Sequence, residues 1–226
     1  MVETARRPGS GWLVLLGGGE ITFGETQDLD QAWLDLADGS VGFVPAASGS
    51  TEYGKHFAQY LDEAFSRDAE TIPVYRARDA RRGKNAARID GVAHLYLGGG
   101  VADHLLDALK DSPSLEAIER KLESGGTVVA MAAAAQSFGQ VVRSLFGGEA
   151  IPGFGWLPGA AIDTNFDPAH DRRLRQLMTQ PEVRWGLGLP AGSALLLGPE
   201  GERQVVGTVF ALDSADGDFE IWQEDA

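Results

Sequence analysis

The stretch Thr127-Val-Val-Ala-Met-Ala-Ala-Ala-Ala-Gln136 decides how the rest of the chain reads. Its first half is an apolar, β-branched run of strand length that follows the glycine pair Gly125-Gly126. Its second half is a run of alanines with the composition of a helix start. A strand that passes into a helix through nothing but small residues implies a very sharp turn, where neighbouring side chains must be tiny. That is the local signature of a nucleophile elbow in α/β hydrolytic folds. Alanine also has the highest helix propensity, so simple packing of a helix against a sheet accounts for the same letters.

Outward from this point the chain alternates apolar runs with helical spacing. Trp12–Leu16, Val41–Val44, Thr71–Tyr75 and Val92–Leu97 are runs of buried-strand length. Leu29–Leu36, Phe57–Phe65, Leu105–Leu109 and Leu115–Leu122 carry apolar residues at three- and four-residue spacing. Ser112-Pro113 supplies a cap and a first-turn proline for the last of these, and Gly125-Gly126 closes it. Strands apolar on both faces, separated by helices, predict a mostly parallel sheet covered on two sides. Beyond residue 150 the texture shifts to a glycine–proline loop and a short helix over Arg172–Met178. Strands follow at Ala194–Leu197, Gln204–Leu212 and Phe219–Trp222. These are expected to extend one sheet edge in antiparallel fashion. No linker, repeat or low-complexity tract interrupts residues 1–226, which predicts a single domain.

Composition narrows the chemistry. With 226 residues, 43% of them hydrophobic, the chain can fill a core. Lysine and arginine number 19 against 33 acidic residues, a formal charge of −14. Such a surface repels phosphate backbones and anionic lipid, so neither nucleic acid nor membrane is an expected partner. The basic clusters Arg76–Arg88 and Arg172–Arg175 are interrupted or flanked by Asp79 and Asp171 and read as solvated faces. There is no cysteine, which excludes disulfides and thiolate chemistry. The four histidines lack ligand spacing, so no metal and no cofactor is expected. No apolar run approaches the roughly 20 residues needed to span a bilayer, and a cytoplasmic location is the expectation.

In an open parallel sheet, ligands bind beyond the carboxyl ends of the strands. Two glycine triplets fall there, Gly17-Gly-Gly19 before Glu20, and Gly98-Gly-Gly100. Glycine permits close backbone approach to a ligand, and it equally permits a tight strand-to-helix turn. The first triplet is not a dinucleotide fingerprint, because Thr22 stands where GxGxxG needs glycine.

Taken as a set, Val14–Glu20, Val44-Pro-Ala-Ala-Ser48, Leu97–Gly100, Gly153–Gly159 and Gly207–Asp213 resemble, in order and spacing, the serine-peptidase family of cyanophycinases and aspartyl dipeptidases (dipeptidase E). The resemblance covers nearly the whole chain. It implies the flavodoxin-like architecture of class I glutamine amidotransferases, with an antiparallel C-terminal extension. The family elbow G-T-S-A-G-A falls on Met131–Gln136, placing the nucleophile position at Ala133. The family motif D-Q-H-F falls on Asp163-Thr-Asn-Phe166, placing the histidine position at Asn165. A later acidic Gly-Ile-Asp-Glu stretch corresponds to Gly188-Leu-Pro-Ala191, which has no carboxylate.

A methyl group cannot attack a carbonyl, and an amide cannot shuttle a proton near neutral pH. The resemblance with these departures implies a catalytically inactive member that retains a pocket. Its expected components are backbone amides around Gly98, Gly99, Gly100 and Ala134 for a carboxylate, with Glu20 and Asp163 for a cationic end. A small peptide or carboxylate is the expected ligand, and the chain is expected to be a monomer or homodimer. The alternative is an active hydrolase of small acidic peptides or amides that uses Ser137, Ser48 or His170 instead. Amidotransferase-like transfer fits less well, since it normally uses an elbow cysteine.

Overall fold

The computed structural model describes residues 6–223. Its central feature is a seven-stranded sheet. Five strands are parallel: β1 (Trp12–Leu16), β2 (Val41–Val44), β3 (Ala69–Thr71), β4 (His94–Leu97) and β5 (Thr127–Met131). Residues alternate strictly between the two faces. Leu13 and Leu15 of β1, with Val128 and Ala130 of β5, enter one core, while Val14, Leu16, Val129 and Met131 enter the other. Each fully buried leucine contributes about 1.5–3 kcal/mol, and a one-residue slip would exchange the side chains that the two cores receive.

Helices α1 (Gln27–Leu34) and α2 (Thr51–Phe65) cover one face through Leu29, Trp33, Phe57 and Leu61. The other face is covered by α3 (Ala77–Ala80), α4 (Gly83–Gly91), α5 (Ala102–Leu109) and α6 (Pro113–Glu123). The expected cap at α6 is present: Ser112 Oγ accepts from the Leu115 N–H at 3.2 Å, with Pro113 in the first turn. The basic segment Arg76–Arg88 carries α3 and the start of α4, and its arginines are exposed, the solvated face that the charge pattern predicts. The third strand lies at Ala69–Thr71 rather than Thr71–Tyr75, because Pro73 cannot continue the ladder.

After β5 the chain makes α7 (Ala133–Gln136), then β6 (Val141–Arg143), β7 (Ala150–Pro152), β8 (Ala160–Thr164), α8 (Arg172–Leu177) and β9 (Trp185–Leu189). It ends with β10 (Ala194–Leu197), β11 (Arg203–Val206), β12 (Thr208–Leu212) and β13 (Glu220–Gln223). The antiparallel extension exists, but only β10 and β11 form it, giving the order β11-β10-β1-β5-β4-β2-β3. The run read as one strand over Gln204–Leu212 breaks at Gly207, whose φ of 71° lies in the left-handed region. Beyond that break, β12 joins a second, six-stranded sheet of order β13-β12-β9-β8-β6-β7. One face of this sheet completes the first core through Ile162, Leu187 and Val209, and α8 covers the other through Leu174 and Leu177. Among the described residues, no helix is long and apolar enough to cross a membrane.

Candidate functional site

The carboxyl ends of β1, β4 and β5 meet the end of β8 from the second sheet. Two backbone positions there adopt φ values that L-residues disfavour: Ala132, at φ 50° and ψ −114°, and Asn165, at φ 47°. Both are fixed from the exit of β1. Leu16 C=O accepts the Ala132 N–H at 2.9 Å, and the next carbonyl, Gly17 C=O, accepts the Asn165 N–H at 2.7 Å. The sharp bend thus falls on Ala132. Ala133, expected at the bend from the alignment of letters, is the first residue of α7. Four identical residues, Ala132 to Ala135, carry no side-chain feature that could set the register.

The glycines of the first triplet have separate roles. A Cβ on Gly17 would lie 2.0 Å from Pro190 O, and one on Gly18 would lie 2.1 Å from Asn165 Oδ1. The triplet is therefore a place of close approach by its own chain, and Gly18 leaves the space that Asn165 occupies.

Two cavities open over the bend, and both are lined by Gly100, Ala132 and Asn165. The smaller, about 290 Å³, also touches Gly18, Glu20, Tyr53, Gly99 and Met131. Burial holds the Tyr53 hydroxyl above its ordinary range, opposed by a hydrogen bond with the Gly99 backbone. Glu20 is exposed, and its carboxylate has no ion-pair partner among the described residues. The larger cavity, about 400 Å³, is bounded by Asp103, Ala133, Gln136, Arg143, Thr164 and Arg173, among others. Gln136 Nε2 donates to Thr164 Oγ1 at 2.7 Å, tying α7 to β8 across its floor. The Asp103 carboxylate accepts from Ser144 Oγ and from the Leu145 N–H, which anchors the β6–β7 loop as one wall. Burial pushes the Asp103 carboxyl up, but these hydrogen bonds outweigh it and leave the group below its ordinary range. The cleft is open: Met131 only lines its smaller half, and Phe138 is in the core against Trp156.

Several expected ligand groups lie elsewhere. Asp163 is buried and forms an ion pair with Arg173, so it is not free to hold a cationic ligand. The Gly98 N–H is used by Val44 C=O at 3.0 Å, and Ala134 is buried in the core. Gly99, Gly100 and Glu20 do border the cleft. The three substitute groups lie outside its walls. Ser137 is buried, with Oγ donating to Ala133 C=O at 3.1 Å. Ser48 Oγ donates to Pro45 C=O at 3.1 Å within its own turn. His170 is 82% exposed and faces Asp167 at 2.7 Å. Arg143, Arg173, Gln136 and Tyr53 were not apparent as site residues; only the fold brings them to the bend. Arg173 belongs to the cluster read as a solvated face, and its partner Asp163 is ten positions away on another element. Among the described residues, no group of three or more His, Asp or Glu side chains could hold a metal ion.

A model of peptidase family S51 matches residues 13–203. No curated protein matches the chain. Among solved structures, a peptidase from an acI-B1 Actinobacterium is similar at a TM-score of 0.80 and 20% identity, with 97% of each chain covered. A peptidase E-type protein from Listeria monocytogenes EGD-e is similar at a TM-score of 0.64 and 16% identity, covering 87% of this chain and 98% of the other.

Proposed function

The chain belongs to peptidase family S51, and on that footing we propose that it binds peptides at the cleft without hydrolysing them. One observation carries the reading. The residue held at the sharp bend presents a methyl group, and the left-handed residue that shares both cavities with it presents an amide. In this reading Ala132 is the nucleophile-equivalent position, and Asn165 is the position of the proton acceptor. Removing one member of such a pair costs about 10⁴–10⁶ in rate, and what survives is binding and backbone polarisation. The open cleft, flanked by Glu20 and two arginines, supports retained binding of a small peptide or carboxylate.

A fluorophosphonate probe, run beside Asp-Xaa dipeptides, a cyanophycin-like polymer and simple amides, tests the proposal. The expected result is no covalent labelling and no turnover, with peptide binding detectable by calorimetry. Turnover that disappears on Ser137→Ala, Ser48→Ala or His170→Ala would instead establish an active hydrolase with a displaced constellation.

A further inference from the structure

The two sheets end in four edge strands, β11 and β3 in one, β13 and β7 in the other. An open edge is a template for another chain, and proline is one of the devices that blunt it. β3 is followed by Pro73, and β7 ends in Pro152. β11 (Arg-Gln-Val-Val) and β13 (Glu-Ile-Trp-Gln) contain no proline, and they border one cavity together.

The register identifies the open main-chain groups of β11. Gly198 N–H donates to Glu202 C=O at 2.8 Å, so in an antiparallel ladder Leu196 with Gln204 and Ala194 with Val206 are the hydrogen-bonded pairs. Gly17 N–H donates to Ser193 C=O at 2.8 Å, which turns Leu195 and Leu197 toward β1 in the same alternation. The N–H and C=O of Arg203 and Val205 therefore point away from β10. They have no hydrogen-bond partner among the described residues.

Both residues line a cavity of about 790 Å³, larger than either cavity at the bend. Its other walls include Ala32, Asp35 and Leu36 of α1, with Ile221 and Trp222 of β13. A groove beside an open strand edge is a setting in which a peptide adds as a further strand. Through Ala32, Asp35 and Val206 it continues along α1 into a cavity of about 560 Å³.

Charge selects the occupant. Glu25, Asp28 and Asp35 line the two cavities, and none forms an ion pair among the described residues. Asp35 accepts from Gln31 Nε2 and Glu25 from the Glu20 N–H, both neutral donors. Among the described lining residues the one cation is Arg203, whose guanidinium lies over the Trp222 ring at 4.0 Å. An acidic groove in a chain of net charge −14 disfavours a second copy, and the residues after β13, Glu224 and Asp225, are acidic too.

We propose that this groove docks an extended basic segment of a partner protein, added as a strand to the β11 edge. Val205 pairs with its main chain, and Glu25, Asp28 and Asp35 receive its lysine or arginine side chains. The groove shares no lining residue with the cleft over Ala132, so this interaction is independent of what binds there.

The test uses the full chain and fluorescence anisotropy. The probe is a labelled octapeptide alternating lysine and threonine, which as a strand presents its lysines on one face. It is expected to bind at least about tenfold more tightly than its glutamate–threonine counterpart, the size of one charge-assisted hydrogen bond facing solvent. Val205→Pro removes the outward N–H and is expected to weaken the lysine peptide by about tenfold, while Val205→Thr retains its affinity. Asp28→Lys with Asp35→Lys keeps the main chain intact and is expected to abolish the preference for lysine over glutamate. The same charge change outside the groove, Asp62→Lys with Glu63→Lys on α2, is expected to preserve it. Equal weakening by the two lysine pairs, affinity untouched by Val205→Pro, or absence of binding overturns the inference. So does binding that requires removal of residues 224–226, or a dimer in sedimentation that Val205→Pro splits, because the occupant is then this chain itself. None of these failures touches the peptide-binding reading of the cleft.

Discussion

Installing serine at the bend and histidine opposite it, as Ala132→Ser with Asn165→His, is expected to create an enzyme. Ala132 already holds φ 50°, so serine adds a hydroxyl without new backbone strain, and its side chain enters both cavities. Asn165 is left-handed at φ 47°, a conformation that asparagine and histidine both tolerate better than most residues. Because Asn165 is exposed, the larger imidazole can extend into the cleft, and Gly18 keeps its base clear. A positioned general base is worth about 10²–10⁴ in rate. The double variant is therefore expected to hydrolyse an activated ester at least ~10²-fold faster than Ala132→Ser alone, and to label with a fluorophosphonate. The control is Ala133→Ser with Asn165→His. Ala133 is the first residue of α7 and borders only the larger cavity, so no labelling is expected. Labelling of the Ala133 variant in place of the Ala132 variant would refute the assignment of the bend. A folded Ala132→Ser, Asn165→His protein that neither labels nor turns over would refute the claim that these two positions face one reacting centre.

Three further outcomes follow from the same geometry. Ala132→Gly should stabilise the fold by about 1 kcal/mol, the strain relieved less the extra freedom of the unfolded chain, as read from urea unfolding. Arg173→Ala should leave the buried Asp163 carboxylate without its ion pair and cost on the order of 3 kcal/mol. Adding Asp163→Ala to that variant should recover part of the loss, checked by a double-mutant cycle. Asp30 is buried, which raises its carboxyl above the ordinary value despite hydrogen bonds from Trp33 and Tyr60. The folded chain therefore holds this proton to higher pH than the unfolded chain. The resulting stabilisation is full below the unfolded value and is lost as pH rises through the folded one. Relative to Asp30→Asn, the parent should gain stability as pH is lowered from neutrality toward that window. An unchanged difference across denaturation series at several pH values would contradict it.

The parallel half of the fold was legible because β1, β2 and β5 are apolar on both faces, so burial and strand spacing say the same thing. The second sheet was not. Its strand β9 reads Trp-Gly-Leu-Gly-Leu, with glycines where Met178 Sδ and the Phe166 ring pack within 2.5 Å of a would-be Cβ. Those neighbours are unknowable before the tertiary structure, and without them the run looks like a loop. The bend was legible as a place but not as a residue, because alanine repeats on both sides of it. Asp163 looked like an anchor for a cationic ligand, and only α8 reveals that its charge is already answered. Arg143 gave no local sign at all, since only the fold brings the end of a three-residue strand to the cleft.

The paired grip of Leu16 and Gly17 carbonyls on Ala132 and Asn165 has a consequence for engineering. Main-chain atoms make both grips, so they do not depend on the functional group carried, although the positive φ at both residues excludes β-branched side chains. The frame can then be re-equipped with thiol, hydroxyl, imidazole or carboxylate at either post while the spacing between the posts stays fixed. Reactivity in such a frame is an interchangeable fitting.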